Sequence, residues 1–106
     1  MALILKIPDD KTNTDYYLEW STICDAPLTH GMSLGDFREY YNDQYGKQGM
    51  KEYPERMERV EETGNSSILP KYSNDDFYNF NRAGGAERCT DKEGILEKYC
   101  RNKVPK

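Results

Sequence analysis

Large aliphatic side chains are scarce in this chain. Leu, Ile, Val and Phe together supply 17 of its 106 residues, below the roughly 20% at which a highly charged sequence falls under suspicion of disorder. Two properties argue against that outcome. The net charge is only -4, and nine Tyr, three Phe and one Trp make the chain 12% aromatic, whereas disordered chains lack aromatics to bury. A folded domain is expected, with a core that leans on Tyr, Phe, Trp and Met beneath a very wet surface (mean hydropathy -1.01). The length suits a single domain over residues 1–106.

Long apolar runs are also missing, so no membrane-spanning helix is expected. The opening MALILKIPDD is too short an apolar patch, is interrupted by Lys6, and lacks a basic leader and a small-residue cleavage site, so it is not read as a signal peptide. Histidine occurs once, at His30, and the cysteines (Cys24, Cys89, Cys100) are odd in number and irregular in spacing, with no CxxC. That pattern fits neither a disulfide framework nor a structural zinc site. The expected setting is the reducing cytoplasm, with three free thiols, no metal and no cofactor. Asn65-Ser66-Ser67 matches a glycosylation acceptor, which carries no meaning in such a compartment.

Basic residues are few until the end of the chain. All 19 acids lie at or before Glu97, and residues 1–97 hold 11 bases against them, a net of -8. A body so acidic is repelled by nucleic-acid phosphates. Lys98, Arg101, Lys103 and Lys106 follow with no acid among them, and are read as a helix end and, after about residue 101, a frayed basic tail.

The patterning predicts an α+β fold: a small N-terminal antiparallel hairpin of two or three strands packed against about four short helices. Residues 2–7 read as a strand ended by Pro8, residues 8–15 as turn chemistry, and residues 16–24 as a second strand with Leu18, Trp20, Thr22 and Cys24 on one face. Ser33 is the expected N-cap of a helix presenting Leu34, Phe37, Tyr41 and Tyr45, stopped at Gly46. Met50, Tyr53, Met57 and Val60 form the stripe of a second helix, regular from near Tyr53 because of Pro54, and ended by Gly64. Glu52–Arg56 and Glu55–Arg59 have the spacing of helical ion pairs. A short extended segment is read before Pro70. Ser73 is expected to cap a helix burying Phe77 and Phe80 and ending at Gly84-Gly85. Thr90 and Glu93 suggest a capping box ahead of a last helix burying Ile95, Leu96, Tyr99 and Cys100.

Tyrosine supplies the first candidate surface. Helical phase buries only one of Tyr40 and Tyr41, and strand phase sets Tyr16 and Tyr17 on opposite faces, so several rings are expected to stay part-exposed on an acidic surface. Tyr40 and Tyr45, with the helical acids Glu55, Glu58 and Glu62, form the expected interaction surface. Its partner would be a protein with a basic patch, including one that normally holds nucleic acid.

A second candidate joins Asp25, Thr29 and His30 of the 25–32 loop to Asn81 and Arg82 of the 81–85 turn. A guanidinium beside glycine-rich backbone suits a small anion, and Asp25 is the natural charge partner of an inward Arg82. Ordinary helix capping by Gly84 also accounts for the turn. Cys24 and His30 are not read as a catalytic pair, because Cys24 is expected to end the buried face of its strand. No catalytic residue is assigned. The resulting reading is a small acidic, non-enzymatic interaction module, of the inhibitor kind that viral or mobile-element accessory proteins supply. The alternative is a binder of a small anionic ligand, or a minor enzyme, at the 25–32 and 81–85 connections.

Overall fold

Leu3, Leu5 and Ile7 alternate with Ile4 and Lys6, so an extended chain here offers apolar side chains to both faces of a sheet. The computed structural model, which describes residues 2–67, 73–79, 81 and 90–101, places them in β1 (Ala2–Asp9), paired antiparallel with β2 (Thr14–Ser21). The register sets Leu5 opposite Leu18 and Ile7 opposite Tyr16. A two-residue β3 (Ala26–Pro27) completes the order β1-β2-β3. Along the free side of β1 runs the segment 64–66: Lys6 N–H donates to the Gly64 carbonyl at 2.8 Å, and Ser66 N–H to the Ile4 carbonyl at 3.0 Å.

Both strands have other bounds than the sequence suggests. Pro8 does not end β1. The amides of Ile4 and Lys6 point away from β2, so the missing N–H of Pro8, in the same phase, costs no bond to β2. β2 ends at Ser21 because the Ser21 hydroxyl accepts from the amides of Ile23 (3.2 Å) and Cys24 (3.0 Å), turning the chain out of the sheet. Cys24 is therefore exposed and is not the last buried residue of its strand.

The helical elements number three among the described residues, not about four. α1 spans Leu34–Thr63, with Ser33 as N-cap accepting from Asp36 N–H at 3.2 Å and Gly64 as left-handed C-cap. It is one element folded at Gly46 (φ 65°, ψ -160°), a region essentially confined to glycine. Along a straight helix Tyr41 and Arg56 would stand about 22 Å apart, yet the Arg56 guanidinium donates to the Tyr41 hydroxyl at 2.7 Å. The two arms thus double back on each other. The second is helical well before Tyr53, and Pro54 is accommodated inside it. α2 is Asn74–Asn79, and α3 is Lys92–Ile95, running on as a π-helical segment Leu96–Arg101. Asp91, not Thr90, caps α3, its carboxylate accepting from Gly94 N–H at 2.7 Å. Phe80, the 84–85 glycines, the 68–70 segment and the tail after 101 lie outside the described residues.

Both faces of the sheet are covered, and this accounts for the unbroken buried run from Tyr16 to Ser21. Leu3, Leu5, Ile7, Tyr16, Leu18 and Trp20 pack on one side against Phe77, Tyr78, Ile95, Leu96, Tyr99 and Cys100. Ile4 and Tyr17 pack on the other against Phe37, Tyr41, Tyr53 and Val60, with Met50 and Met57 part-buried beside them. Leu34, expected on the inner stripe of α1, is exposed.

Candidate functional site

The hydroxyls of Tyr40 and Tyr45 turn inward, onto Glu19. Glu19 lies in mid-strand on the α1 side and is 1% exposed. Its carboxylate accepts from the Tyr40 hydroxyl at 2.5 Å and from the Tyr45 hydroxyl at 2.9 and 2.7 Å, one bond to each oxygen. A buried carboxylate needs such donors to offset its lost hydration. Burial, then the bond to Glu19, raises the pKa of both phenols, so they remain donors at neutral pH. Tyr16, Tyr17, Tyr41, Tyr53, Tyr78 and Tyr99 are buried, Tyr40 is half-buried, and Tyr45 is 39% exposed. Among the described tyrosines Tyr40 and Tyr45 keep part of their surface in solvent, whereas Tyr16 and Tyr17, expected to part at the sheet, are both buried because the sheet is covered on both sides.

The glutamates of the expected surface behave differently. Glu55, Glu58 and Glu62, together with Glu52, stand exposed on the second arm of α1. The sequence spacing pairs Glu52 with Arg56 and Glu55 with Arg59, but the structure sends both cations elsewhere. Arg56 donates to the Ala2 carbonyl at 2.5 Å and to Tyr41, and Arg59 Nε donates to the Ser66 carbonyl at 2.9 Å. Unsatisfied carbonyls at the sheet margin out-compete solvated carboxylates for a guanidinium. Glu61, by contrast, turns toward the sheet, where it accepts from Lys6 (2.6 Å) and from the Tyr17 hydroxyl (2.7 Å). These two bonds lower its pKa. Between the arms opens a cleft of about 620 Å³ lined by Gly35, Asp36, Arg38, Glu39, Asn42 and Met50.

The second candidate is only partly described. Thr29 Oγ1 accepts from Glu19 N–H at 3.2 Å, which fixes the 25–32 loop to β2. Asp25 is half-buried in a left-handed turn (φ 53°), and His30 is half-buried. Gly31 donates to the Tyr99 carbonyl at 2.6 Å, and a Cβ there would meet Cys100 Sγ at 2.6 Å, so this loop rests on the π-helical segment with no room for a side chain. Asn81 is buried, its N–H donating to the Tyr78 carbonyl at 3.2 Å. Arg82 and the rest of the 81–85 turn lie outside the described residues.

No family model, curated protein or solved structure matches this chain. Among the described residues no group of three or more His, Cys, Asp or Glu is placed to hold a metal ion, and no helix is long and apolar enough to cross a membrane.

Two polar constellations escaped the sequence. One is Glu19, whose only trace was an acid inside the apolar run YYLEW. The other reassigns Arg101, read as part of the basic end. Its guanidinium makes a bidentate pair with the fully buried Asp9 carboxylate (Nε to Oδ2 2.7 Å, Nη2 to Oδ1 2.8 Å) and also binds Glu93 and Glu97. Arg101 holds Asp9 well below the usual carboxylate range, and Arg101 itself stays charged. Cys100 beside it is pushed up to about 12 by burial, which makes its thiol inert.

Proposed function

We propose that the protein is a small acidic interaction module whose second α1 arm docks on a basic surface of a larger protein, in the manner of an inhibitor. The observation that carries this reading is the withdrawal of Arg56 and Arg59 to the carbonyls of Ala2 and Ser66. Glu52, Glu55, Glu58 and Glu62 are left facing solvent with no cation against them among the described residues. An un-neutralised acidic helix face on a rigid sheet steers toward positive surfaces and discriminates against negative ones.

The test compares the wild-type protein with a Glu55→Lys/Glu58→Lys variant as baits in native host lysate, followed by kinetics with the purified partner. The expected partner carries a basic patch, and its association rate falls as salt rises. The double reversal should slow association by about tenfold or more. Stability should change by less than about 0.5 kcal/mol per site, since both side chains are exposed. If the reversal is silent while Asp25→Ala and His30→Ala abolish binding, the acidic-face reading is rejected, and the Asp25, Thr29, His30, Asn81 and Arg82 region takes its place.

A further inference from the structure

The first arm of α1 carries an exposed side beside its buried one. Gly35, Arg38, Glu39 and Asn42 recur at three- and four-residue spacing and share that side. With Asp36, and with Met50 of the second arm, they line the cleft of about 620 Å³, a size within the roughly 300–1,000 Å³ that small-molecule sites occupy. Met50 is half-buried and packs against the core on the α1 side of the sheet. No side-chain hydrogen bond or ion pair joins Asp36, Arg38, Glu39 or Asn42 to another described residue. The cleft thus presents a guanidinium, two carboxylates and an amide with their bonding capacity open, next to a thioether.

A buried group bears on the same place. Tyr53 follows Met50 by three residues on the second arm and packs its ring against Tyr41 of the first, the centroids 5.1 Å apart. It is 7% exposed, and its hydroxyl has no partner among the described residues. Burial raises the pKa of this phenol; of the side-chain charges that act on it, Arg38 is the stronger and opposes the rise, and Glu61 is the weaker. The hydroxyl is therefore a protonated donor in the field of a guanidinium that lines the cleft. A buried donor without an acceptor is costly, and a ligand oxygen at Arg38 would supply one.

We propose that the cleft between the arms of α1 binds a free α-amino acid with a large apolar side chain, its carboxylate held by Arg38 and the Tyr53 hydroxyl, its ammonium by Asp36 and Glu39, and its side chain laid on Met50. The site uses none of the acids on which the interaction-module reading rests. The set of charges selects the ligand class. A simple anion suits Arg38 and Tyr53 but is repelled by Asp36 and Glu39. A simple amine is repelled by Arg38 and leaves the Tyr53 donor unpaired. A molecule with both charges on neighbouring atoms satisfies all four groups. Asp36 and Glu39, three residues apart on the helix, suit the three donors of an ammonium, and a guanidinium takes a carboxylate through two bonds. Methionine adapts to aromatic and aliphatic contacts alike.

The test titrates isotope-labelled protein with L-phenylalanine and L-leucine, and with phenylacetate and phenethylamine, which each carry one of the two charges. At least one amino acid should shift the amides of residues 35–42 and the Met50 methyl saturably, and both single-charge compounds should bind about tenfold more weakly or worse. Arg38→Gln, on exposed surface, should weaken the amino acid by about tenfold. Tyr53→Phe should also weaken it while leaving urea unfolding of the free protein undiminished, because the hydroxyl has no bond to lose. Three outcomes overturn the proposal: no saturable shift with either amino acid, phenylacetate binding as tightly as phenylalanine, or unchanged affinity in both variants.

Discussion

Glu19 shows what one misplaced charge does to the residues around it. A carboxylate in mid-strand on a covered face cannot reach water, so two tyrosines of α1 are drawn to it, and the first arm of the helix is fixed over β2. Replacing Glu19 by Ala strands both hydroxyls against the sheet. A buried donor left unpaired costs about 1–3 kcal/mol, and a loss of roughly 3 kcal/mol in urea unfolding is expected for this variant. Glu19→Gln keeps one acceptor oxygen and should lose about half as much. A loss confined to Glu19→Ala, with Glu19→Gln as stable as the wild type, would mean that packing and not the second acceptor oxygen seats the arm. The Tyr53 hydroxyl and the Trp20 indole N–H, both buried, have no partner among the described residues. Bulk apolar contact, and not polar matching, holds those two rings.

At the scale of elements, two devices set the geometry. The fold in α1 depends on Gly46, whose φ of 65° with ψ of -160° lies where a Cβ is strained. Gly46→Ala should cost about 1–3 kcal/mol by equilibrium unfolding, more than the same change at Gly35, where a Cβ would meet nothing within 4 Å. The second device is the Asp9–Arg101 pair, which ties the π-helical end of α3 to the β1–β2 turn. Asp9 has a folded pKa depressed below its ordinary 3.8 by Arg101. Its contribution is therefore complete above the unfolded value and is lost as pH falls through the folded one. Between pH 5 and pH 2 the wild-type melting temperature should fall more steeply than that of Asp9→Asn, with the two converging at the acid end. Parallel curves would show that the pair contributes nothing net, as buried ion pairs sometimes do.

Across the whole molecule one sheet serves two apolar layers, so neither layer stands without it. Trp20 is fully buried in the layer under α2 and α3, with ring centroids 6.3 Å from Phe77 and 6.4 Å from Tyr78. Truncating it to Ala should cost about 3–5 kcal/mol, enough to unfold a marginal domain. Unfolding of the wild-type chain followed by Trp20 fluorescence and by far-UV circular dichroism should coincide, because the α1 layer loses its floor when the sheet goes. A W20A protein that kept the α1 signal while losing near-UV structure would show that the two layers are independent.

Local chemistry was enough to reveal most of the parts. The Ser33 cap, the Met50–Tyr53–Met57–Val60 stripe, the Gly64 stop and the buried face of the last helix follow from spacing and capping, which act over three or four residues. The β1–β2 hairpin follows from alternation and turn residues. What tertiary structure decided are the partners in other elements, all but Arg59 and Ser66 (seven residues apart) separated by tens of residues. Arg56 and Arg59 left their helical acids for carbonyls at the sheet margin, Arg101 left the basic tail for Asp9, and Tyr40 and Tyr45 turned their hydroxyls from water to Glu19. In each case a buried, unsatisfied group in another element outweighed a solvated neighbour close in sequence, because desolvation penalises an unpaired polar group far more than water rewards an exposed ion pair. The sequence by itself determined an acidic, tyrosine-rich α+β chain. Burial on both faces of the sheet decided which tyrosines it hides, which acids it leaves facing solvent, and where its exposed apolar side chains stand.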